Sequence, residues 1–206
     1  KLFQTTLMSI YAELGEFDKS AALLADIESE LTMPPWSAIL GMMKCCYYST
    51  TKDWDRFVEN YDLAKEKLNN SSFAFMSSML DAMEGEHLES QGKYKLAVDL
   101  YNKGISEPSM GGEQGKVSLY LSLGRAYREL GMFKESKEAF ETFLTLKDED
   151  AELFYEYSIL KEKQGNKKDA LDLIMKAYNM YKDADKELEL TQKILKRYDS
   201  FQEQLP

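Results

Sequence analysis

Histidine is almost missing from this chain: His87 is the single one among 206 residues. A Ser-His-Asp or Cys-His catalytic arrangement would have to be built on it, and its neighbours Glu86 and Leu88 suggest none. An isolated histidine of this kind reads as a packed or surface residue. Cysteine is nearly as scarce. Cys45 and Cys46 are the only two, side by side in a helical run. Adjacent helical residues point in different directions and a bond between them needs strained geometry, so no disulfide framework follows. That leans toward a reducing, cytoplasmic compartment, with an extracytoplasmic module still open. Two thiols and one imidazole also fall short of the four ligands that zinc takes, so neither a metal nor a cofactor is expected. No constellation for catalysis stands out, and the chain reads as a non-enzyme.

Other absences narrow the choice further. No stretch approaches 18 consecutive apolar residues, so no membrane-spanning helix is expected. No lysine or arginine run occurs. With a net charge of −10 and a pI near 4.8, the surface repels phosphate backbones, which disfavours direct nucleic-acid binding. The glycine-rich segment Gly111–Lys116, GGEQGK, fails as a phosphate-binding loop. Met110 stands where the first glycine belongs and Val117 where Ser or Thr belongs. An insertion between structural units is the simpler reading. The chain opens on Lys1 without a signal-peptide pattern, which points to a piece of something longer. Only four prolines occur, two of them adjacent at Pro34–Pro35, where they are expected to end the helix before them.

What is present is repetition. The segments LGRAYRELGMFKESKEAF and YSILKEKQGNKKDALDLI share one spacing: Gly131 and Gly165 are 34 apart, as are Ser136 and Ala170, and Phe140 and Ile174. Tyr120, Leu123, Gly124 and Tyr127 fall on one helical stripe. Gly131 breaks that helix, and Ser136, Ala139, Phe140 and Phe143 form the stripe of a second. Small residues at Gly124 and Ser136 let the two backbones approach. Asp148, Glu149 and Asp150 place negative charge at the start of the next helix, where the dipole favours it. The pattern of Tyr120, Leu123–Gly124, Tyr127, Ser136 and Phe140 resembles the tetratricopeptide repeat. It departs from the family in Ser136 for alanine, in Phe143 where a small residue is usual, and in Lys161 where the next unit should carry tyrosine.

The same period extends along the chain. Units are expected over 1–34, 36–70, 72–106, 117–150 and 151–184, with a final helix over 186–203 that caps the array or connects it onward. Turns fall at Gly15, Gly92, Gly131 and Gly165, and Ser49–Asp53 replaces the glycine turn of the second unit. Ser37 and Asp53 are the expected caps of that unit's helices. Met42, Met43, Met76, Met79 and Met83 sit at helical spacing and read as core. The resemblance implies an all-α fold: a right-handed superhelical array of antiparallel helix pairs, about five repeats plus a C-terminal capping helix, in a single domain spanning 1–206.

The resemblance also implies where a ligand sits, because the first helix of each pair lines a concave groove. The inward positions are Thr5, Ser9 and Ala12; Met42, Cys46 and Ser49; Met79, Glu86 and Glu89; Leu121, Arg125 and Arg128; Tyr155, Ile159 and Glu162. The carboxylate clamp of some family members is unsupported, since Thr5, Ser9, Met42 and Cys46 replace its polar groups. Arg125 and Arg128 are the best carboxylate contacts, unless they pair with Glu129, Glu86 or Glu162. The expected site is therefore Met42, Met79, Glu86, Leu121, Arg125, Arg128, Tyr155 and Ile159. The expected role is a scaffold that binds a protein or peptide partner, with self-association through the terminal helices open. The alternative is a sensing module of a larger signalling or transcriptional regulator whose effector domain lies elsewhere.

Overall fold

Among the described residues one turn recurs five times and sets the rhythm of the structure. The Gly131 N–H donates to the Arg128 carbonyl at 3.0 Å, and the Met132 N–H reaches back to the Tyr127 carbonyl at 2.9 Å. This pair of bonds closes a helix whose next residue is left-handed, and it satisfies carbonyls that the helix end would leave open. Gly15, Gly92 and Gly165 close the same way, with φ from 72° to 81°. So does Lys52, at φ 58°, with bonds from Lys52 N–H to Ser49 and from Asp53 N–H to Tyr48. The second unit thus keeps the glycine turn's geometry without the glycine.

The computed structural model describes residues 7–8, 10–12, 14–31, 33, 36–107, 112–185 and 188–203. Among them there is no strand. The chain divides into two compact units, Lys1–Lys116 and Val117–Pro206. The first holds helical residues at 7–8 and 10–12, then α1 (Phe17–Glu30), α2 (Trp36–Thr50), α3 (Trp54–Asn69), α4 (Ser77–Ser90) and α5 (Tyr94–Ser106). Short 3-10 turns occupy Ala74–Met76 and Gly112–Lys116. The second holds α6 (Val117–Glu129), α7 (Phe133–Leu146), α8 (Ala151–Lys163), α9 (Lys167–Tyr181) and α10 (Glu189–Gln202). Consecutive helices pack as antiparallel pairs, α2 on α3 and α4 on α5, then α6 on α7 and α8 on α9.

Close approach within a pair depends on small residues in fixed register. A Cβ at Gly124 would lie 2.3 Å from Cε1 of Phe140, and one at Gly85 equally close to Tyr101. Ser136, buried, donates its hydroxyl to the Gly124 carbonyl at 2.7 Å. Ser20 does the same to the Met8 carbonyl at 2.8 Å, across the same separation of 12 residues. Serine in place of alanine is therefore a tie between paired helices. In the first unit Phe57, Leu68 and Leu80 join α3 to α4. In the second, Phe140, Phe143, Leu153 and Leu160 join α7 to α8, and Phe154, Ile174, Ile194 and Phe201 bring α10 onto α8 and α9.

Several boundaries differ from expectation. Ser37 lies inside α2, its N–H donating to the Met33 carbonyl at 3.1 Å, so it is not the cap. Asp53 and Asp150 do cap, accepting from the N–H groups of Arg56 and Leu153. The third unit's first helix starts at Ser77, later than the expected unit start at 72, because the intervening residues form a turn and a 3-10 piece. The insertion after α5 is described only from residue 112. Among the methionines, Met42 and Met43 are buried while Met79 is 40% exposed, so the core expectation fails at Met79.

Candidate functional site

In the second unit the first-helix face is built by α6 and α8, with α10 placed beside α8 as though it opened another pair. The two arginines expected on this face have different fates. Arg128 is buried. Its Nη1 donates to the Glu156 carbonyl at 3.0 Å and to the Glu156 carboxylate, and its Nε donates to Glu129 at 2.8 Å. Glu129 also accepts from Lys163 at 3.0 Å. Burial alone would raise the Glu129 carboxyl, but hydrogen bonds from Arg128 and Lys163 hold it below the usual carboxylate range. Arg128 is thus a brace between α6 and α8, with its Nε and Nη1 donors engaged. Arg125 is half-buried, 3.3 Å from the Ser122 hydroxyl and 3.7 Å from the Glu152 carboxylate. Leu121 is buried in the core, whereas Tyr155 and Ile159 are half-exposed on α8.

Beside Tyr155 the face opens into a shallow cleft lined by Tyr155, Lys193, Lys196, Arg197 and Ser200. Arg197 forms its floor. Its Nε donates to the Ser158 hydroxyl and its Nη2 to the Glu162 carboxylate, each at 2.7 Å, and the guanidinium lies over Phe201. Lys193 pairs with Glu189 at 2.6 Å and is half-exposed. Lys196 is exposed and has no ion-pair partner among the described residues. Burial, then the nearby Glu156, pushes the Tyr155 phenol up, so its hydroxyl remains a donor at neutral pH. In sequence these lysines look like solvated charge. The signal that could have found them is the spacing of 35 from Glu162 to Arg197, close to one repeat.

The first unit presents a different face. Met42 is buried; Met79 and Glu86 are exposed, and Glu86 accepts from the Ser49 hydroxyl at 3.2 Å. Glu89 accepts from Tyr101 at 2.5 Å. Thr5 and Ser9 lie outside the described residues. His87 is packed, stacked on Trp54 with ring centres 5.2 Å apart and with Nδ1 3.3 Å from Glu84. Burial pushes the Cys45 thiol up to about 12, which leaves it inert. A feature with no sequence signature is Asp81. It is fully buried and accepts from Tyr61 at 3.0 Å, from Lys103 at 2.8 Å, and from Lys65. Burial would raise its carboxyl, and the hydrogen bonds from Lys103, Lys65 and Tyr61 overcome this and lower it. It ties α3, α4 and α5 together. Among the described residues no cluster of His, Cys, Asp and Glu could hold a metal ion, and no described helix is long and apolar enough to cross a membrane.

Residues 117–150 match the family model described as tetratricopeptide repeat. The TPR repeat-containing protein YpiA of Bacillus subtilis (strain 168) is 38% identical over 93 residues, 45% of this chain. That match covers 21% of YpiA's own length. Among solved structures, PilW, titled a widely conserved type IV pilus biogenesis factor, aligns with a TM-score of 0.68 at 15% identity, covering 98% of this chain and 90% of PilW. YrrB, titled a TPR protein with an unusual peptide-binding site, aligns at 0.55 and 16%, covering 94% and 90%. MamA from AMB-1 aligns at 0.52 and 20%, covering 92% and 96%. At these identities the likeness is one of fold.

Proposed function

We propose that this chain, a tetratricopeptide-repeat protein, is a non-catalytic interaction scaffold that holds an extended segment of a partner protein against the first-helix face of its second unit. The observation that carries this is the state of α8. Its other apolar side chains, Leu153, Phe154, Tyr157 and Leu160, are buried, while Tyr155 and Ile159 stay half-exposed, Tyr155 beside the lysines of α10 and one turn from Glu152, which Arg125 approaches. Apolar anchors flanked by charge are what an extended peptide needs for affinity and register. A peptide-binding site in YrrB, which shares the fold, agrees with this use of the scaffold. Met79 and Glu86 of the first unit are proposed as a secondary contact, whereas Met42, Leu121 and Arg128 act by supporting the helices.

A photo-crosslinking residue at position 159 tests the face. The probe is a displayed library of twelve-residue peptides selected on the chain. Peptides should crosslink at 159 and not at 134, where the native lysine side chain is 85% exposed on α7, the second helix of a pair. Equal labelling at both positions would place binding elsewhere.

A further inference from the structure

We infer that the cleft between α8 and α10 takes a carboxylate of the bound segment, held by Lys196, Lys193 and the Tyr155 hydroxyl above the Arg197 floor. This assignment rests on the groove proposed above and adds the chemistry of one of its subsites. The chain carries 36 acidic against 26 basic residues, so a spot where three cations converge runs against its overall balance. In that spot Lys196 is uncommitted among the described residues, and the Tyr155 hydroxyl has no hydrogen-bond partner among them. Arg197 is spoken for by Ser158 and Glu162, so it contributes field and position, not a free fork. Two lysine donors and one phenol match the oxygens of a single carboxylate.

Charge around the cleft selects the ligand class. Against the three cations stand Glu162, paired with Arg197, and Glu189, paired with Lys193, while Glu156, next to Tyr155 in α8, is itself neutralised by Arg128. These carboxylates leave little net positive field, enough for one negative charge and unfavourable for the two of a phosphate group. Ile159, one helical turn beyond Tyr155, adds an apolar shelf on the same face. The fitting ligand motif is an Asp or Glu close to an aliphatic or aromatic residue. The final helix is thereby more than a lid on the core, because it supplies the lysines of the subsite.

The test uses the tightest peptide from the twelve-residue library and the whole chain. Its affinity is measured by calorimetry for wild type, K193Q/K196Q, Y155F, and the control K134Q/K137Q, which removes two charges from α7. Loss of two charge-assisted contacts should weaken K193Q/K196Q about tenfold, with the control within about twofold of wild type. The same peptide with its acids changed to amides should bind weakly and equally to wild type and K193Q/K196Q, as a coupled pair requires. Amidating the peptide's C-terminus distinguishes a chain-terminal carboxylate from a side-chain one. Unchanged affinity in K193Q/K196Q, or tighter binding when phosphoserine replaces the acid, overturns the carboxylate subsite while crosslinking at 159 still supports the groove. A library that enriches nothing overturns both.

Discussion

Lys52 occupies the backbone conformation that glycine occupies at the other four turns, and that makes K52G a sharp test of how the repeats are closed. At φ 58° a side chain's Cβ crowds the following carbonyl, which costs about 1–2 kcal/mol for an L-residue. Glycine escapes that cost but gives back about 0.5–1 kcal/mol, because its unfolded chain is more flexible. The difference favours K52G by about 0.5–1 kcal/mol. Spread over a unit of this size, that is a rise of about 2–5 °C in the melting transition. K52A is the control. It removes whatever the lysine side chain does but keeps the Cβ, so it should be no more stable than wild type. G131A should lose about 1 kcal/mol, since it puts a Cβ where φ is 74°. Urea and thermal melts of the four proteins, followed by circular dichroism, settle the order. K52G melting at or below K52A would refute the backbone account.

Three further outcomes follow from packing and charge. G124A and G85A should each lose about 1–3 kcal/mol in urea titrations, because the new Cβ meets the rings of Phe140 and Tyr101, while G41A, 3.0 Å from the Ala64 Cβ, should lose less. D81N should lose about 1–3 kcal/mol at neutral pH, at the lower end because Lys65 and Lys103 can turn to water. Asp81 titrates below its unfolded value, so its contribution is present above about pH 4 and fades as pH falls through the folded value. The stability gap between wild type and D81N should therefore narrow in acid. Under native conditions at pH 8 a thiol reagent should modify Cys46 well before Cys45, whose thiol is pushed up to about 12 by burial; equal rates would contradict its burial.

The helix pairs were legible because their constraints are local. A residue with positive φ after a helix is nearly always glycine, and Gly15, Gly92, Gly131 and Gly165 mark four of the five turns. Lys52 escaped notice as a left-handed residue because nothing in a lysine advertises that conformation; only the surrounding period placed a turn there. Ser37 misled for the opposite reason: it has the side chain of a cap, but the helix had already begun at Trp36. The candidate site was less legible. The repeat register located the first-helix positions, yet exposure at those positions depends on distant partners. Arg128 is claimed by Glu156, 28 residues on, and no local pattern announces that pairing. Lys193 and Lys196 looked like ordinary surface charge until α10 was seen lying beside Tyr155.

The seating of α10 has a consequence for any shortened form of the molecule. Ile194 and Phe201 fill the apolar surface left by Ala151, Phe154, Ala170, Ile174 and Ala177, while Lys193, Lys196, Asp199 and Ser200 remain exposed to water. Cutting after residue 185 would bare a sticky socket shaped for a helix, and the nearest helices in solution belong to other molecules of the same kind. Such a truncate should self-associate through that exposed apolar surface and should not persist as a well-behaved smaller domain.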